Sequence, residues 1–257
     1  QDLDEALKSI SGNKLIEEME FCLCEFESKL LGEMIRALST MERVKILKLV
    51  SCSYQGKPES LKKVVDEGLK IEKIEISEMN NFYKILLTHN YEYLKSLKSL
   101  HIRFQQSQEM TDKEMETLCV QGFQHLKQLT SLSLNFSGCF RITNQGMNNL
   151  CSYGLIHLKE LTSLSLNFSN SASITNQEVQ TLCLKGLVNL AQLTSLELYF
   201  RNCSNLTDQG VQNLCSQGIK NLTGLTSLRL EFSCNHITDE GVKFIYSEDL
   251  KSLPLLT

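Results

Sequence analysis

The segment Leu129–Ser137, LTSLSLNFS, recurs unchanged at Leu161–Ser169. No other feature of the chain constrains its fold as strongly. Related copies begin at Leu97 (LKSLHIRFQ), Leu193 (LTSLELYFR) and Leu225 (LTSLRLEFS), so five starts follow one another at 32 residues without slip. Weaker copies lie upstream at Ile16 (IEEMEFCL), Val44 (VKILKLV) and Ile71 (IEKIEIS), with steps of 28, 27 and then 26 residues to Leu97. Self-similarity at a fixed period is the mark of an array whose units bury their apolar faces against one another. Eight units also explain why 44 of the 257 residues are leucine.

Each unit reads as a strand followed by a helix. Leu132, Leu134 and Phe136 alternate with Ser133 and Asn135, the period of two of a strand with one buried face. A loop follows, and then a helix start. Thr111 with Glu114 and Thr175 with Glu178 have the spacing at which hydroxyl and carboxylate satisfy each other's free amides. Met147, Leu150, Cys151, Leu155 and Leu158 then recur at helical spacing. Gly122, Gly154, Gly186 and Gly218 share one register. There the helix is expected to break or to admit a close backbone approach.

L-x-x-L-x-L, a short loop, I-T-[DN]-x-G and a leucine-bearing helix together resemble the leucine-rich repeat, most closely its cysteine-containing subclass. Ile237–Gly241 (ITDEG) is the nearest match, and Leu206–Gly210 (LTDQG) and Ile142–Gly146 (ITNQG) are near copies. The resemblance implies an α/β leucine-rich-repeat solenoid, a right-handed β-α superhelix with parallel strands on its concave face and helices on its convex face. The 32-residue unit exceeds that subclass's usual length, by two residues before I-T and about one turn on the helical side. Cys139, Cys203 and Cys234 stand near the subclass's loop cysteine, whereas Ser107 and Ser171 occupy the corresponding places elsewhere.

Strands stack roughly 4.8 Å apart and helices roughly 10 Å apart, so stacking such units is expected to curve the array. The expected organisation is one continuous solenoid. Residues 1–96 form three irregular, charge-rich units after a partial helix carrying Leu3, Ala6, Leu7 and Ile10. Residues 97–257 form five regular units, with Leu253–Thr257 resembling the start of another; both ends therefore read as parts of a longer array. Charge follows the same division, with 31 charged residues in the first 96 and 25 in the remaining 161.

Catalytic and cofactor signatures are missing. The sequence contains no HExxH, GxSxG, dinucleotide fingerprint, HRD or DFG. Gln55–Pro58 (QGKP) has the Gly-Lys of a phosphate loop without its other residues. No enzyme, cofactor or metal site is expected. Cys119, Cys151, Cys183 and Cys215 fall at one repeat position, as a metal or redox ladder or as small buried fillers of a recurring gap. Helix spacing near 10 Å exceeds the roughly 7 Å limit for a disulfide and favours the fillers. Cys22-Leu23-Cys24 has no matching His or second Cys pair. His125 and His157 interchange with Asn189 and Asn221 and read as helix-end groups. Ten cysteines without a basic-then-apolar leader point to a reducing, cytoplasmic setting. No stretch is apolar enough to span a membrane.

The outward strand positions carry the functional expectation. A net charge of −4 and a face without a basic, aromatic-laced stripe exclude a nucleic-acid partner. Partners are expected to be proteins, with no membrane and no small-molecule substrate. The candidate contact residues are His101, Arg103, Asn135, Asn167, Glu197, Tyr199, Arg229 and Glu231. Among them Tyr199, Arg229 and Glu231 stand out, because rigid aromatics and arginine dominate interface energy. The resemblance implies a protein-binding module or scaffold subunit of a larger assembly, as in ciliary regulatory complexes. Its alternatives are a regulator clamping a protein enzyme and the substrate receptor of a ubiquitin ligase.

Overall fold

Wherever apolar and polar residues alternate at the expected positions, the chain is a strand with the apolar side turned inward, buried throughout save at Met19, Leu228, Leu230 and Phe232, which are half-buried. The computed structural model describes residues 9, 15–22, 24–26, 28–41, 43–54, 70–77, 87, 94–233, 236–251 and 253–256. Leu3, Ala6, Leu7, Ile10, Leu23, Gln55–Pro58, Cys234 and Thr257 lie outside the described residues. Two units are distinguished, Gln1–Arg103 and Phe104–Thr257. The division falls just after the first regular strand, six residues beyond the change in repeat regularity at Leu97.

In the first unit, β1 (Glu18–Cys22) is followed by a short β2 (Glu25–Phe26) and the helix α1 (Ser28–Thr40). Next come β3 (Ile46–Val50), a short β4 (Ser53–Tyr54), β5 (Lys73–Ser77) and β6 (Ser99–Arg103). The strands β1, β3, β5 and β6 pair in parallel in that order, with Glu18 facing Ile46, Ile46 facing Lys73 and Lys73 facing Ser99. A separate parallel ladder joins β2 to β4. Leu31, Met34, Ile35 and Leu38 recur at helical spacing on α1 and are buried, so this helix is held by its apolar stripe.

The second unit turns the constant period into zero register shift. Its strands are β7 (Ser131–Asn135), β8 (Ser163–Asn167), β9 (Ser195–Arg201) and β10 (Ser227–Ser233). Ser131, Ser163, Ser195 and Ser227 stand side by side, as do Leu132, Leu164, Leu196 and Leu228. The same register stacks five phenylalanines. Phe104, Phe136, Phe168, Phe200 and Phe232 lie nearly parallel, with successive ring centroids 5.1, 5.5, 6.3 and 5.7 Å apart.

The helical side explains the length of the unit. Each α segment, α2 (Asp112–Thr117), α3 (Asn144–Asn149), α4 (Asn176–Thr181) and α5 (Asp208–Asn213), runs directly into a five-residue π turn and a three-residue 3₁₀ turn. Phe123 N–H, for example, donates to the Leu118 carbonyl five residues back. The π turn thus takes up residues that the sequence assigned to one more ordinary helical turn. Two further helices, α6 (Asp239–Ile245) and α7 (Glu248–Lys251), close the described chain.

Gly154, Gly186 and Gly218 end these π turns, and each faces the cysteine of the preceding repeat. A methyl group on them would come 2.9, 3.1 and 2.7 Å from the sulfurs of Cys119, Cys151 and Cys183. The four helical cysteines are buried. Burial pushes the thiols of Cys151 and Cys183 up to about 12. Cys119, Cys151 and Cys183 each fill a gap that exists because the next unit has glycine there. The loop cysteines Cys139 and Cys203 are buried too, donating to the carbonyls of Phe104 at 3.1 Å and Phe168 at 3.3 Å.

The I-T-[DN]-x-G motif is an inter-repeat cap. Thr143 and Thr238 each donate their amide and hydroxyl to the aspartate one repeat back, Asp112 at 2.8 and 2.6 Å and Asp208 at 2.8 and 2.7 Å. Asn176 serves Thr207 with both ends of its side-chain amide: its Oδ1 accepts the Thr207 amide at 3.1 Å, and its Nδ2 donates to the Thr207 hydroxyl at 2.9 Å. A side chain at Gly146, Gly241 or Gly210 would collide with that carboxylate or amide oxygen, so the motif needs glycine. Where glutamate replaces glycine, the unit caps itself: Glu178 accepts from the amide and hydroxyl of Thr175 at 2.8 and 2.6 Å. Glu114 accepts from the Thr111 hydroxyl. The Thr238 donors hold the Asp208 carboxyl below its usual range.

Candidate protein interface on the strand face

In the second unit the outward residues of β9 and β10 converge on Tyr199. Register sets Glu197 beside Arg229 and Tyr199 beside Glu231, and alternation turns all four to one side. The Tyr199 hydroxyl donates to Glu197 Oε2 at 3.0 Å, and the same oxygen accepts from Ser165 Oγ at 3.1 Å. The Arg229 guanidinium lies 5.5 Å from the Tyr199 ring centroid, a cation–π distance. Glu231 pairs with Arg201 and, at 3.9 Å, with Arg229. Partial burial and the hydrogen bond to Glu197 push the Tyr199 hydroxyl up, so it stays a donor at neutral pH.

The cluster is ordered but not closed off. Arg201 and Arg229 leave 61% and 63% of their side chains exposed, against 22% for Glu231. The phenol is therefore fixed from both sides while two guanidinium groups reach into solvent. Arg201 is absent from the sequence-derived set. That set takes three outward positions per strand, but β9 and β10 run for seven residues and present a fourth.

Asn135 and Asn167 have a different task. Their Oδ1 atoms accept the amides of Ser137 and Ser169, both at 2.9 Å, and so fix the turn that leaves each strand.

His101 and Arg103 belong to the first unit. Arg103 Nε donates to His101 Nε2 at 3.0 Å. Burial first, then the Arg103 charge, lowers the His101 pKa, so the ring is neutral at physiological pH. With Lys48, Glu75 and Ser77 the two residues line a shallow pocket. Charges nearby cancel in pairs, Lys48 with Glu18 and Lys73 with Glu75, both at 2.6 Å. The Lys73 ammonium draws the Glu75 carboxyl below its ordinary range.

Among the described residues no group of three His, Cys, Asp or Glu side chains could hold a metal ion. No described helix is long and apolar enough to cross a membrane.

Residues 224–245 match a leucine-rich-repeat family model. No curated protein matches the chain significantly. Among solved structures, a chain of the yeast Rad7 and Elc1 complex is similar with a TM-score of 0.57 and 21% identity, over 99% of this chain and 58% of that one. A chain of the TLR13–ssRNA13 complex is similar with a TM-score of 0.41 and 16% identity, over 89% of this chain and 35% of that one. Parallel strands alternating with helices, together with the family match and the likeness to the chain of the Rad7 and Elc1 complex, make the fold an α/β leucine-rich-repeat solenoid.

Proposed function

We propose that this leucine-rich-repeat chain is a non-catalytic protein-interaction module, a scaffold subunit of a larger assembly whose partner docks on the Tyr199 cluster. Fold alone does not fix function; the observation that carries the reading is the cluster itself. A tyrosine with two torsions, held by Glu197 and Arg229, loses little entropy on binding. Tyrosine and arginine at the centre of a patch are also where interface energy concentrates. Further support comes from the fold shared with a chain solved in the Rad7 and Elc1 complex. The nine cysteines among the described residues are thiols, which fits residence in a reducing compartment.

The test is affinity capture from native lysate with the tagged chain, followed by mass spectrometry and a binding titration of the captured partner. Several assembly subunits should co-purify. Replacing Tyr199 and Arg229 together by alanine should weaken binding about tenfold or more. A melting curve like that of the parent would show the fold intact. Unchanged affinity in that folded variant would move the site off this face, and capture of one stoichiometric enzyme would replace the scaffold by a regulator.

A further inference from the structure

Two cysteines of the first unit stand apart from the buried ladder. In the short parallel ladder Glu25 faces Ser53 and Phe26 faces Tyr54, and Ser53 N–H donates to the Cys24 carbonyl at 2.9 Å. Continued one residue before each strand, the same register sets Cys24 beside Cys52. Parallel neighbours lie roughly 4.8 Å apart and project to one face, inside the roughly 4.4–6.8 Å Cα range that a disulfide spans. Cys52 is fully buried and its sulfur donates to the Phe21 and Val50 carbonyls at 3.3 and 3.4 Å. Cys24 is half-buried, and its sulfur lies 3.3 Å from the Cys22 carbonyl. Cys22 faces Val50, so no thiol stands across from it.

We propose that Cys24 and Cys52 form a redox-responsive dithiol, reduced as described here and closed to a disulfide by a low-molecular-weight disulfide such as oxidised glutathione. Cys24 is the entry point, because solvent reaches it whereas Cys52 is buried. Its thiolate attacks one sulfur of the oxidant, breaking that S–S bond and releasing one glutathione thiolate, which takes up a proton. The Cys52 thiolate then attacks Cys24 in the mixed disulfide and expels the second glutathione. Two protein thiols are oxidised to one disulfide, and one oxidised glutathione is reduced to two thiols.

Burial holds both thiols above their ordinary value, Cys52 at about 11. Closure is accordingly slow at neutral pH and speeds up about tenfold per unit toward pH 8.5. The bond would clamp the loops after β1 and β3, where the ladder has only two residue pairs.

The full chain is incubated, folded, with oxidised glutathione, alkylated and digested with trypsin. Lys29, Arg36, Arg43, Lys45 and Lys48 place Cys24 and Cys52 on different peptides. The expected product is one crosslink between those peptides, retained in Cys22→Ser, lost in Cys24→Ser and formed faster as pH rises. A link that disappears in Cys22→Ser would overturn the assignment. So would a glutathione adduct at Cys24 that never closes, or folded protein that stays fully reduced while denatured protein oxidises. Cys22 and Cys24 share one tryptic peptide, so fragment-ion sequencing of the crosslinked wild-type peptides assigns the bonded cysteine even if a serine variant fails to fold.

Discussion

Replacing Phe136 by alanine should cost about 3–5 kcal/mol of stability, the range for an emptied aromatic core site. Phe136 is 1% exposed and lies between Phe104 and Phe168, 5.1 and 5.5 Å away. The substitution removes its burial and both stacked contacts. Domains have about 5–15 kcal/mol in all, so this single change takes about a fifth of the total or more. Each repeat leans only on its neighbours, so a gap in an interior layer should be felt by the layers on both sides. Phe232 is the control. It stacks on Phe200 at 5.7 Å but is only half-buried, and its alanine variant should lose distinctly less. Denaturant titration of the two variants checks this; equal losses would mean that the ring stack is not what holds the layers together.

The second large effect is a coupling. Alanine at Gly218 would bring its methyl group 2.7 Å from the Cys183 sulfur, closer than such atoms pack. Overpacking of this kind costs about 1–3 kcal/mol. Removing the sulfur with Cys183→Ala should be harmful in the parent, where it leaves a hole, and restorative in Gly218→Ala, where it makes room. Thermal or chemical melts of the four proteins should give a favourable coupling of about 1–2 kcal/mol. Additive losses would show that the glycine serves its own backbone and not the neighbouring cysteine.

Much of this fold was legible because a period is a register. Once LTSLSLNFS recurs at 32 residues, parallel strands with Leu132, Leu164 and Leu196 in line follow, and T-x-x-E correctly marked the self-capping helix start at Thr175. Other features exist only between repeats. The pairing of Cys183 with Gly218 spans 35 residues, one period plus three; it emerges when adjacent helices are laid side by side, not along one of them. The choice between capping by the previous repeat and by the unit's own glutamate is written as Gly or Glu three residues after the threonine. That signal was available but carries meaning only with the neighbouring carboxylate in view. The π turn has no spelling at all, since Leu118–Gly122 would serve an ordinary helix equally well. At the candidate site, alternation identified the outward face and Tyr199, but not the strand extension that adds Arg201. Composition likewise could not show that Asn135 and Asn167 are engaged in their own turns.

The central claim, that a protein partner docks on the strand face around Tyr199, is tested most directly by site-specific photo-crosslinking. Benzoylphenylalanine is placed in one protein at Ser227, exposed on the face that carries Arg229, and in another at Leu184, 54% exposed on the helical side. Irradiation in native lysate should give a discrete adduct from the Ser227 position and none from Leu184, and the adduct should vanish when Tyr199 and Arg229 are alanine. An adduct formed from Leu184 and not from Ser227 would contradict the account.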